Sequence, residues 1–113
     1  MNALMIVKII FAVGTIITGL LGLIKPAAVL GFTGLNINSP RGTSEIRAIF
    51  GGLLIGLGLA PFLVGDAGYM VLGISYLSIA IARGFSILFD KSYESSNLIS
   101  LVIEIVFGLV LVL

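Results

Sequence analysis

The sequence predicts an all-α integral membrane protein, a four-helix bundle with antiparallel up-down topology that forms one domain over residues 1–113. Three observations carry that expectation. Hydrophobic residues make up 59% of the chain and charged residues only 10%, against roughly 25% charged in an ordinary soluble domain. The apolar residues gather into four stretches, each near the roughly 20 residues that cross a hydrocarbon core about 30 Å thick. The chain also holds 15 glycines, a residue commoner in membrane helices than in soluble ones. A soluble globule this small leaves too much surface exposed to hide such a composition, so the solvent is read as lipid.

The first helix is expected over residues 3–24. Lys8 ahead of an apolar run resembles a secretory signal, but the run outlasts the roughly 7–15 residues of a signal's apolar region. Lys25-Pro26 follows it where a cleavage site of small residues would stand, so it is read as a retained helix. Proline lacks the N–H that a helix interior uses, which sets the boundary there. Pro26 to Phe32 suits a short helix lying in the interface, and Gly31, Gly34, Asn36, Asn38, Ser39 and Pro40 read as loop.

The second helix is expected over 45–64. Thr43 or Ser44 caps it, and Glu45 stands in the first turn, where the helix dipole favours a negative charge. Pro61 is expected to kink or end it. Gly65-Asp66-Ala67-Gly68 reads as a tight turn into a third helix over 69–89, which makes an antiparallel hairpin. The polar run Asp90 to Ser96 holds three of the eleven charges and leads into the fourth helix, 97–113. Alternating directions put both termini on one side.

Composition excludes whole chemistries. Without cysteine there is no disulfide, thiolate nucleophile or cysteine-held metal. Without histidine the commonest general base and the usual haem ligand are gone. Six Lys/Arg against five Asp/Glu give no field to gather nucleic acid. No cofactor is expected, and membrane lipids are the expected surroundings.

Orientation follows from Lys and Arg near the helix ends. Lys25, Arg41, Arg47, Arg83 and Lys91 lie in or beside the first and third connections, against Lys8 alone at the other end. Those connections are expected to face the cytoplasm, with the termini outside, in a cell inner (plasma) membrane.

An ionisable group within a span costs about 2.5–3.5 kcal/mol on insertion scales, so each one invites a reason. Lys8 is close enough to a helix end to snorkel along its own aliphatic stem. Arg83 and Glu104 are different. A hairpin centred near Tyr93 places both roughly 10 Å into their helices at about 1.5 Å per residue, hence at equal depth. A guanidinium and a carboxylate at one level in low dielectric should pair. Arg47 and Glu45, near the same end of the second helix, are expected to join them in one polar cluster. That cluster is either structural, fixing helix register, or a site for an anionic headgroup or small polar ligand, since arginine suits bidentate recognition.

Small residues supply the expected packing surfaces. Gly52, Gly56 and Ala60, widened by Gly51 and Gly58, stripe the second helix; Gly19 and Gly22 follow Thr15 and Thr18 on the first, and Gly84 follows Ala80 on the third. Such rows let helix backbones approach closely, within one bundle or in a homo-oligomer. Gly51-Gly52 is not a phosphate loop, because no Gly-Lys-Ser/Thr follows.

The run Ser44-Glu45-Ile46-Arg47-Ala48-Ile49-Phe50-Gly51-Gly52, followed by Ala82-Arg83-Gly84 and Glu104, resembles the domain-of-unknown-function 4345 family. These are small four-helix bacterial membrane proteins, DoxX-like in outline. The resemblance covers nearly the whole chain and implies architecture rather than activity. On the family's pattern it points to Glu45, Arg47, Gly51, Gly52, Arg83 and Glu104.

The leading expectation for function is a non-enzymatic membrane protein, either an accessory subunit of a larger complex or a bundle that binds lipid or a small ligand. The alternative is a small-molecule or drug transporter, although the small multidrug exporters carry their acidic residue in the first helix, where this chain has Lys8. A third is a DoxX-like link to quinone or redox chemistry. Single cysteines placed at Asn2 and at Asn38, in a chain with none of its own, should label from opposite faces of the membrane. Labelling from one face would contradict the four-span topology.

Overall fold

The computed structural model describes residues 2–113. Four helices are long and apolar enough to cross a membrane: α1 (Ala3–Ile24), α2 (Pro40–Val64), α3 (Asp66–Asp90) and α4 (Ser95–Val112). No strand occurs among the described residues. The chain is therefore all-α, with successive helices antiparallel. Between α1 and α2 it makes a 3-10 turn, Pro26–Val29, and one α-helical turn, Leu30–Thr33.

The helix ends differ from the expected ones for local reasons. α2 starts at Pro40 rather than near Glu45. Ser39, not Thr43 or Ser44, is its cap: the Gly42 N–H donates to Ser39 Oγ at 3.1 Å, and Pro40 supplies a first residue already fixed at a helical φ. The turn into α3 is a single residue, Gly65, at φ 73° and ψ −140°, a conformation that essentially only glycine adopts. Asp66 therefore already opens α3, where its charge meets the positive end of the dipole. Pro61 does not end α2, which runs to Val64.

α2 is not uniform. Pro40–Ile46 is α-helical, Arg47–Leu53 has the wider π geometry, and Leu54–Val64 returns to α. The π segment lies against α1, where two backbones come unusually close. A Cβ added to Gly22 would stand 2.3 Å from the Phe50 carbonyl oxygen, and one on Gly19 would stand 2.8 Å from that of Gly51. Gly58 continues the contact one turn pair later, 2.8 Å from the Ala12 carbonyl oxygen by the same measure.

This corrects the expected stripe. Gly52 and Gly56 are exposed, and a Cβ on Gly56 or on Gly84 would meet open space. Four-residue spacing drifts about 40° around a helix at each step, whereas seven-residue spacing drifts only about 20°. Gly51 and Gly58, seven apart, therefore stay under α1 while Gly52 and Gly56 rotate outward. Ala60 does lie at a contact, with its carbonyl carbon 2.6 Å from the Cβ position of Gly68.

All four helices meet near the end that carries the termini. Ala12 of α1, Tyr69 and Leu72 of α3 and Leu111 of α4 are buried there, with Leu57 of α2 packed against them. Phe11 stacks on Phe107 at 3.8 Å, and Tyr76 meets Phe107 edge-on at 5.3 Å. Elsewhere the contacts are uneven. α1 packs mainly on α2 and α3 mainly on α4, while α1 meets α3 and α4 sparsely. The outcome is a flattened bundle, 45 × 31 × 17 Å. Its outer surface is oily: Ile10, Ile17 and Ile24, at seven-residue spacing on α1, are 59%, 60% and 66% exposed.

The glycine contacts make a paired prediction. Gly22→Ala must push α1 off the Phe50 carbonyl and should cost about 1–3 kcal/mol, the usual range for overpacking. Gly56→Ala enters open space and should stabilise α2 by up to about 1 kcal/mol through helix propensity. Reversible unfolding in mixed micelles measures both, and equal effects would contradict the assigned faces.

Candidate functional site

α3 and α4 approach closely because glycines line their seam. A Cβ on Gly108 would stand 2.5 Å from Leu77 Cγ, and one on Gly73 would stand 2.9 Å from Leu111 Cβ. Neither glycine stands in a four-residue row with another small residue, the pattern by which α1 and α2 were read. Gly73 carries one signal, its seven-residue spacing to the buried Ala80; Gly108 carries none of that kind. Arg83 and Glu104 sit further along this seam, toward the connection between the two helices.

There the two side chains form a bidentate pair. Arg83 Nε donates to Glu104 Oε1 and Nη2 donates to Oε2, each at 2.7 Å. Arg83 Nη1 donates to Asn97 Oδ1 at 2.8 Å. Asn97 stands seven residues before Glu104, so α4 presents both to the same arginine. The amide of Asn97 is held in turn, its Nδ2 donating to the Ser92 carbonyl at 3.1 Å and to Ser92 Oγ at 3.0 Å. The Ser92 hydroxyl donates to Glu94 Oε2 at 2.7 Å. That bond helps to hold the exposed Glu94 carboxyl below the usual carboxylate range. A polar chain thus runs from the membrane-spanning seam out to the connection.

The pair is not equally covered. The Glu104 side chain is 11% exposed, whereas that of Arg83 remains 31% exposed. Parallel N–H···O bonds of this kind fix geometry as well as energy. Both carboxylate oxygens are occupied.

Glu45 and Arg47 do not join them. Because α2 starts five residues early, Arg41 lies on the helix four residues before Glu45 and pairs with it. Both side chains are largely exposed, which makes that ion pair weak. Arg47 Nη1 donates to the Leu23 carbonyl at the C-terminal end of α1, where the helix dipole favours a cation. Among the described residues, no hydrogen bond or ion pair links Glu45 or Arg47 to Arg83 or Glu104. The expected cluster of four charges is therefore three separate pairings.

A second polar contact was not anticipated. Thr15, 1% exposed, donates to the Phe11 carbonyl at 2.8 Å, so the Tyr76 hydroxyl 2.5 Å away donates to Thr15 Oγ1. Tyr69, Tyr76 and Arg83 recur every seven residues and share one face of α3, which was the signal available in the sequence. Lys8 stands over Tyr69 with its ammonium 5.9 Å from the ring centroid, at the limit of a cation–π contact.

Fold and site together define a small all-α protein with four apolar helices and an arginine–glutamate pair between the last two. The chain belongs to the family described as Domain of unknown function (DUF4345), whose family model matches residues 3–113. No curated protein and no solved structure matches the chain.

Glu104→Gln leaves Arg83 without its charged partner. Removing one member of a buried pair costs about 3–5 kcal/mol, and the lower figure applies because Arg83 is partly exposed. The charge swap, Arg83→Glu with Glu104→Arg, should recover part of that loss in the same unfolding measurement. A Glu104→Gln protein as stable as the parent would remove the pair from the account.

Proposed function

We propose that this chain is a non-enzymatic multi-pass membrane protein that serves as a packing element, an accessory subunit of a larger membrane complex, with Arg83–Glu104 as its internal clasp. The observation that supports this reading is the double occupation of Glu104, whose two oxygens each accept from Arg83. A carboxylate that works as a general base, or that couples ion movement, must gain and lose a proton in its working cycle, whereas here the charge on Glu104 is what holds Arg83. Protonating Glu104 would cost one arm of a bidentate pair. That energy argues for a fixed joint rather than a cycling one.

The proposed orientation keeps the connections at 25–39 and 91–94 on the cytoplasmic side of a bacterial inner membrane. Arg47 and Arg83 are engaged within the fold, which lowers their weight as topological signals. Lys25, Arg41 and Lys91 still outnumber Lys8, so the bias keeps its sign.

Proteoliposomes loaded with a pH-sensitive dye test the non-transport reading. The purified protein should carry no proton flux above that of protein-free vesicles, with or without candidate substrates. A flux that Glu104→Gln abolishes would make Glu104 a coupling group and overturn the proposal.

A further inference from the structure

We propose that Arg83 binds a phosphate oxygen through the guanidinium N–H groups that Glu104 and Asn97 leave free. A guanidinium carries five N–H donors. Glu104 takes two of them and Asn97 one, and the side chain is 31% exposed. Arg83 lies seven residues before the end of α3 at Asp90, roughly 10 Å along the helix. A donor left bare at that depth is costly, because hydrocarbon offers no acceptor. Most arginines near a helix end escape by snorkelling. This one is pinned on three sides of its fork, so the acceptor must come to it.

The geometry of α3 gives the direction of approach. Tyr69, Tyr76 and Arg83 share one face, and the first two are covered: Tyr69 by the core around Ala12, Tyr76 by Thr15. At the level of Arg83, α1 is instead committed to α2 through Gly19 and Gly22, and it meets α3 and α4 sparsely. The face is thus closed near the termini, and near the connections, where the turn Leu30–Thr33 packs on α4, the Arg83 side chain still keeps its partial exposure. Lys25 and Lys91 are both exposed at that end; Asp90 accepts from Ser86 and Glu94 from Ser92. Among the described residues neither lysine is in an ion pair, but Asp90 and Glu94 keep their negative charge at the same connection, so what draws an anionic oxygen inward is the free donors of Arg83 itself.

A phosphate fits these donors because a guanidinium N–H makes a short, charge-assisted bond to a phosphoryl oxygen. The source is either a phospholipid headgroup or soluble phosphate. The proposal takes from the preceding reading only its bilayer setting, so detection of a proton flux would leave the retention experiment unaffected.

Native mass spectrometry of the detergent-purified protein, with added phosphatidylglycerol or with diacylglycerol of the same chains, tests it. Phosphatidylglycerol adducts should survive at activation energies that strip diacylglycerol. Arg83→Lys places its single ammonium on Glu104 and should weaken phosphatidylglycerol retention at least tenfold. Should Arg83→Lys fail to fold, by circular dichroism and size-exclusion chromatography, the double variant Arg83→Met with Glu104→Leu, which removes both charges together, decides: it should lose the preference for phosphatidylglycerol, and an unchanged preference overturns the proposal. Displacement of the lipid by millimolar inorganic phosphate assigns the contact to soluble phosphate, and persistence assigns it to the headgroup; both outcomes keep Arg83 as the phosphate contact. Equal retention of the two lipids, or retention unchanged by Arg83→Lys, overturns it.

Discussion

The bidentate bond between Arg83 and Glu104 is the constraint on which the second half of the molecule depends. Each partner alone would be a charge in oil, and each is tolerable only where the other stands. That requirement fixes more than a distance. It sets the register of α3 against α4, because sliding either helix by one turn would move the partners about 5.4 Å apart in depth. It also explains why Asn97 and Ser92 are tied in: the arginine fork is oriented by Asn97, and Asn97 is oriented by the chain as it leaves the membrane-spanning region.

The first half of the molecule is held differently. α1 and α2 carry no charge pair between their faces; they meet through glycine backbones at Gly19, Gly22, Gly51 and Gly58. In lipid there is no hydrophobic force to drive helices together, so close van der Waals approach does that work. Arg47 closes the end of this contact on the Leu23 carbonyl. The π turns at Arg47–Leu53 lie where this contact is tightest, and they carry both the Phe50 and Gly51 carbonyls that face α1. Irregular helix geometry is affordable there because a neighbouring backbone covers it. The two halves then share one core near the termini, around Ala12, Tyr69, Leu72 and Leu111.

What the sequence made legible is what depth alone controls. A short polar connection couples residue number to depth, so Arg83 and Glu104 could be placed at one level before any coordinate was known. The four helices were legible because length and hydropathy decide them. Rotation was not legible. The stripe Gly52, Gly56 and Ala60 assumed that four-residue spacing stays on one face, and it put Gly56 toward a helix when it faces outward. Glu45 and Arg47 were misjoined for a related reason. Ser39-Pro40 starts α2 early and gives Glu45 a partner in Arg41, while the end of α1, invisible in a linear reading, supplies the acceptor for Arg47. The seam glycines Gly73 and Gly108 escaped because they lie alone, without a small neighbour four residues away in the pattern searched.

The most direct test is a double-mutant cycle on Arg83 and Glu104, using Arg83→Met, Glu104→Leu and the combination, with unfolding free energies measured in the same micelles. If the pair is the joint, each single variant loses far more than the double, and the coupling energy falls at about 2–3 kcal/mol, the upper part of the range for residues in direct contact. Additive losses, with coupling below about 0.5 kcal/mol, would mean that the two charges do not hold α3 to α4.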